Sequence, residues 1–166
     1  MTPRDLESHA KKAAQSRAPA MPQGDAALAH MPWLPILETG HQEIDQEHQV
    51  LLEAINVILA IFARRGAWPE LIAAVVTLRD RCAEHFRNED RLFRAMRFPG
   101  ADRHRRSHRR ILAEINGVIA ALETVDAPAQ ADWDRALSVR GLLVDHLLRE
   151  DLAYKSHLMH VGTSRP

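Results

Sequence analysis

The chain has 166 residues, 46% of them hydrophobic, which fits one domain with a single sizeable core. Its 22 acidic and 22 basic side chains cancel, which excludes a global field drawing it to nucleic acid or an anionic membrane. No apolar run approaches the roughly 18 residues of a membrane span, and the single cysteine, Cys82, excludes an internal disulfide framework.

Residues 1–31 are rich in Ala, Pro, Gln and Ser without a sustained period and read as a flexible N-terminal tail. This segment has no apolar signal-peptide core, and a lone cysteine fits a reducing compartment, so a cytoplasmic location is expected. Residues 32–40, PWLPILETG, carry two prolines and a glycine and form an irregular lead-in in which Trp33 and Leu34 are expected to pack. A helical period then sets in. The first helix is expected over 41–64, with the stripe Ile44, His48, Leu51, Ile55, Ile58 and Phe62. The second covers 69–96, opened by Pro69 and closed by Phe98-Pro99-Gly100, with the stripe Leu71, Val75, Leu78, Cys82, His85, Glu89, Leu92 and Met96. The third covers 101–123, with His104, His108, Ile111, Ile115, Val118 and Leu122. The fourth covers 131–158, with Trp133, Leu137, Leu143, Leu147 and Tyr154, and leaves 159–166 as a C-terminal tail. Four amphipathic helices, short connections and no strand signal predict an all-α, up-down-up-down four-helix bundle over 32–158.

Polar residues interrupt these core stripes. His48, His85, Glu89, His104 and His108 occupy positions that should be apolar, and His146 and Asp151 lie among the apolar residues of the fourth helix. Burying carboxylates and imidazoles is costly unless something compensates them, and metal ions do so by ligating both. Each fragment alone arises readily by chance. The conjunction is what is specific: His85 and Glu89, and His104 and His108, are spaced by four, so each pair stacks on one helix face. The five-residue step from His146 to Asp151 turns about 140° on an ideal helix, so these two are expected to flank a centre rather than stack.

The pieces Ile-Asp-Gln-Glu-His (44–48), His-Phe-x-x-Glu (85–89), His-xxx-His (104–108) and His-xxxx-Asp (146–151) resemble the hemerythrin family in its bacterial form. The likeness runs from Trp33 to about Tyr154, with Asp90 where the family usually has a second Glu. Myohemerythrin is itself a standard four-helix-bundle example. The resemblance implies two iron ions bridged by Glu89, Asp151 and an oxo or hydroxo group. It assigns His104, His108 and His146 to a six-coordinate iron and His48 and His85 to a five-coordinate one. The vacant position would bind O2 reversibly, for storage, delivery or sensing. Expected alternatives are peroxide or nitric oxide reduction at the same centre, or an O2- or redox-responsive module acting through a partner of residues 1–31. A hydrolytic zinc site is disfavoured by the absence of His-Glu-x-x-His.

Leu51, Ile55, Leu143 and Leu147 fall within a turn of these ligands and are candidates to line a dry O2 pocket. Asp45 either orients His48 or caps the first helix. His41, in the single Glu38-x-x-His41, reads as a helix-start contact, because ferritin-like di-iron sites need two such motifs. His9 and His30 are expected to be solvated, and His157 and His160 to lie at a fraying helix end. Cys82 reads as a buried inert thiol, and Trp33, Trp68 and Trp133 as packing anchors. Arg103, Arg105, Arg106, Arg109 and Arg110 form a basic face, solvated or facing an anionic partner. No nucleic-acid or membrane partner is expected. Charged outer faces favour a monomer, and the role is one of binding rather than catalysis.

Overall fold

The computed structural model describes residues 30–155 and 157. Of the expected tails, all but His30 and Met31 therefore lies outside the described residues, as does His160. After a short 3-10 turn at Pro35–Leu37 come four helices: α1 (Gln42–Ala63), α2 (Trp68–Met96), α3 (Ala101–Glu123) and α4 (Gln130–His146). The helix containing α4 continues through a π-helical turn, Leu147–Asp151, into helical residues 152–155. The described residues contain no strand, and none of their helices is long and apolar enough to cross a membrane. Consecutive helices pack on one another, and α4 closes against α1. This is the expected four-helix bundle.

The helix ends follow from local chemistry. Before α1, the Asp45 carboxylate accepts hydrogen bonds from the Thr39 amide (2.6 Å), the Thr39 hydroxyl (2.8 Å) and the Gly40 amide (3.1 Å). Asp45 thus ties the lead-in to the first turn of α1, where its charge also faces the positive end of the helix dipole. Asp45→Ala should cost about 0.5–2 kcal/mol of stability, the range for a lost cap, without changing metal content. Urea unfolding and metal analysis check both halves. After α2, Arg97 takes the left-handed conformation (φ 53°) and the Phe98 amide reaches back to the Phe93 carbonyl at 2.9 Å, closing the helix with a Schellman-type turn. Gly100 then lets the chain pass the Phe98 ring, since a Cβ there would lie 2.7 Å from it.

The stripes are correct near the centre of each helix and drift toward the ends. On α2 the buried sequence runs His85, Glu89, Phe93, while Leu92 and Met96 are only partly buried. On α3 it runs Ile111, Ile115, Ile119, and Val118 is partly buried. On α4, Ala136 and Val139 are buried and Leu137 is peripheral. On α2 and α3 the buried positions combine two steps of four with one of three, about 3.67 residues per turn and nearer the helical 3.6 than the alternating three-four pattern assumed from sequence. On α4 they run Trp133, Ala136, Val139 in steps of three. Leu34 does not pack; it is 48% exposed, and Leu37 is the buried apolar residue of the lead-in. Trp133 is buried and meets Phe62 and Trp68 edge-on, as anchors do.

Two apolar clusters result. The larger contains Leu51, Ile55, Leu78, Cys82, Ile115, Leu143 and their neighbours. The smaller caps one end of the bundle with Ile44, Phe93 and Tyr154. On every helix the polar core positions lie in sequence between a member of one cluster and a member of the other. The polar groups therefore form one layer across the bundle, closed above and below by hydrocarbon.

Candidate metal centre

Each helix contributes to this layer: α1 places His48, α2 His85 and Glu89, α3 His104 and His108, and α4 with its π-turn His146 and Asp151. All seven are at most 4% exposed. Their donor atoms sort into two groups. Glu89, His104, His108, His146 and Asp151 form one, and His48, His85, Glu89 and Asp151 the other. Within each group one donor atom per residue lies within 4.8 Å of all the others. Glu89 and Asp151 belong to both groups and stand between them.

The spacing of five on the last helix behaves differently from the sequence expectation. His146 Nε2 and Asp151 Oδ1 are 3.1 Å apart, so the two stack instead of flanking the centre. The cause is the π-turn. Hydrogen bonds from i to i+5 fit one extra residue into a turn and return the sixth residue to the face of the first. Such bulges occur frequently at functional sites.

The inner atoms lack ordinary partners. His48 Nε2, His85 Nε2, Glu89 Oε1 and both Asp151 oxygens are buried without a hydrogen bond. His108 Nε2 and His146 Nε2 face each other at 3.1 Å. Unpartnered buried polar atoms are rare and costly. Here they converge from four helices, and imidazole nitrogen with carboxylate oxygen is a donor set that suits first-row transition metals. The residues present therefore fit a pair of metal ions.

The electrostatics of the layer point the same way. Burial alone would raise Glu89, but the His85 charge and hydrogen bonds from His104 and His108 hold its carboxyl well below the usual range. Asp151 is likewise lowered: burial and the Glu89 charge oppose ionisation, and His104, His48 and His146 outweigh them. Burial also works against a charged His104, yet the carboxylates of Asp151 and Glu89, 3.2 Å and 3.3 Å from its Nε2, raise it to about 9. Burial dominates for His146 and lowers it to about 4, and it lowers His108 too. Both carboxylates are thus ionised at neutral pH, and the proton on His104 holds the place of a cation. A metal entering this layer displaces that proton.

The outer faces of the histidines are held as well. Glu47 Oε2 accepts from His85 Nδ1 at 2.9 Å, and Asn88 holds the other Glu47 oxygen. Asp90 and Glu150 place oxygens 3.8 Å from the outer nitrogens of His108 and His146. Glu150 is itself bonded by Ser107 at 2.6 Å, and Asp90 by Arg105 at 3.1 Å. Phe86 stacks on the His108 ring at 3.8 Å. Outer carboxylates of this kind fix ring orientation and raise ligand basicity. Sequence reasoning gave Glu47, Glu150 and Phe86 no role. Glu47 and Glu150 sit beside or one turn from a core histidine, which is the signal available, but acids are common there on any solvated helix.

The family pattern of the hemerythrin HHE cation binding domain matches residues 39–158. The chain belongs to the hemerythrin family. It is similar to Myohemerythrin-1 of Phascolopsis gouldii, 26% identical over 118 residues that span 71% of this chain and 86% of the relative. It is also similar to Myohemerythrin of Riftia pachyptila, 25% identical over 126 residues, 76% of this chain and 92% of the relative. The hemerythrin domain is a cation-binding one, and the buried layer is where this bundle can hold metal.

The remaining candidates fall outside the layer. His41 precedes α1, its amide accepted by the Thr39 hydroxyl, and it joins neither donor group. His30 is exposed beside Asn56. His157 lies 3.2 Å from the Met96 carbonyl and against Phe98, pinning the α2–α3 connection. Cys82 is fully buried, and burial pushes its thiol up to about 12, as expected of an inert core thiol. Leu51, Ile55, Leu143 and Leu147 are all buried, the first three within the larger cluster.

Proposed function

We propose that this hemerythrin domain is a non-haem di-iron protein that binds O2 reversibly. The observation carrying this reading is the division of the donors into a three-histidine and a two-histidine group sharing Glu89 and Asp151. His104, His108 and His146 would hold one iron and His48 and His85 the other, with both carboxylates and an oxo or hydroxo group bridging. By this count the two-histidine iron would be one ligand short, and O2 would bind on that side. When bound, the iron pair supplies the two electrons that capture of O2 requires.

The chain's own residues set the conditions. Glu47 fixes the ring of His85 on the open side, and Glu150 and Asp90 face the rings of the closed side. Leu51, Ile55, Leu143 and Leu147 keep the layer dry, which limits proton access and favours release of O2 unchanged. Five neutral imidazoles against two carboxylates stabilise high-valent iron less than a carboxylate-rich set would, which favours binding over turnover. The buried free thiol of Cys82 suits the reducing cytoplasm, and the largely charged outer helix faces suit a monomer.

The test is a visible spectrum of the iron-loaded protein, reduced without air, then exposed to O2, then purged. A charge-transfer band that appears with O2 and vanishes on purging over repeated cycles is expected. An irreversible change, with catalytic loss of peroxide or nitric oxide when a reductant is present, would replace this reading with the enzymatic one.

A further inference from the structure

The two-histidine side of the layer lies beside a surface groove. This groove, of about 360 Å³, runs along the seam of α1 and α2. Its floor is Leu51 and His85, each 1% exposed, and its rim is Glu43 and Glu47 from α1 and Arg81 and Glu84 from α2. Four other grooves on the described surface have none of the seven core donors in their walls. The groove therefore meets the site at His85, in the group where ligand counting leaves a coordination place open.

The rim is charged unevenly. Three carboxylates stand against one guanidinium, and that guanidinium is engaged by Glu84 at 3.6 Å. Glu47 cannot swing aside to relieve the imbalance, because His85 and Asn88 hold its two oxygens. A cleft lined by one sign of charge over a low-dielectric floor focuses its field on whatever passes. Neutral diatomics are indifferent to that field, and anions are repelled by it.

We propose that external ligands reach the centre through the α1–α2 seam, over Leu51 and past His85, and that the acidic rim admits neutral diatomics while slowing anions. The inference deepens the O2-binding reading and rests on it for the choice of ligand. The route itself can be tested without iron, because dissolved O2 is paramagnetic. In the metal-free full-length protein under O2 pressure, Leu51 methyl and His85 ring protons should relax faster than the equally buried methyls of Ile115 and Leu122. Val50→Trp, an exposed position on the same groove, should remove the difference. Equal relaxation at the four residues would overturn the route.

The rim is tested on the iron-loaded protein with thiocyanate, an anion with no neutral form at working pH. Glu43→Gln combined with Glu84→Gln should raise thiocyanate association with the oxidised protein by about 3- to 10-fold at low salt. O2 association with the reduced protein should stay within about two-fold, and the thiocyanate difference should fade as salt screens the rim. An unchanged thiocyanate rate, or equal gains for both ligands, would overturn the selectivity. Failure of the parent protein to bind O2 would overturn the functional reading instead, while the relaxation experiment still decides the route.

Discussion

On the di-iron reading proposed above, Glu89→Ala should take the protein from two bound irons per chain to one or none. Glu89 is completely buried and is shared by both donor groups. Its Oε2 lies 3.5 Å from His85 Nε2, 3.3 Å from His104 Nε2 and 3.1 Å from His108 Nε2, so it faces both sides of the layer. Losing it removes a ligand from each position and leaves three imidazoles without their anion. Outer partners of metal ligands cost about 10–100-fold in affinity when removed, so a shared inner ligand should cost more than about 100-fold at each position. Iron analysis after anaerobic loading, beside circular dichroism to show the bundle intact, measures this. A folded Glu89→Ala protein with two irons and normal O2 binding would remove Glu89 from the site.

Shifting the register of the last helix should separate two variants that change the sequence by the same amount. Deleting Leu148 should leave metal content near that of the parent, whereas inserting one alanine between Leu147 and Leu148 should abolish binding. The π-turn already carries one more residue than an α-turn between His146 and Asp151. Removing the 41% exposed Leu148 leaves a spacing of four, which an ordinary α-helix stacks on one face. Adding a residue turns everything beyond by about 100°. Asp151 then leaves the layer, and His48 and His104 lose an oxygen now 3.3 Å and 3.2 Å away. Tyr154, fully buried between Phe93 and His104, leaves with it. Retained metal in the insertion variant would show that this register does not set the centre.

These two cases also mark how far the residues speak for themselves. Polar groups on an apolar stripe, as at His85-Glu89 and His104-His108, are legible because a spacing of four keeps both on a known face of any α-helix. The bundle followed from the same periodicity. The stacking of His146 on Asp151 was not legible, because the residues Leu147 to Glu150 carry no proline, glycine or other mark of a π-turn. The turn is visible only in the assembled bundle, where Asp151 reaches His48 and His104. Phe93 and Ile119 were missed for a smaller reason: one step of three placed too early moves a stripe to the neighbouring residue. Asp45 had two readings in the sequence, and the lead-in decides between them, since its carboxylate is used by Thr39 and Gly40 rather than by His48. The α1–α2 groove joins residues about 40 positions apart, so it belongs to the assembled bundle and to no segment of it.

The most direct measurement is the number of irons per chain after anaerobic loading and removal of loosely held metal. The proposed reading, in which two donor groups share Glu89 and Asp151, predicts two. One tightly held iron, or none, would contradict the account at its centre.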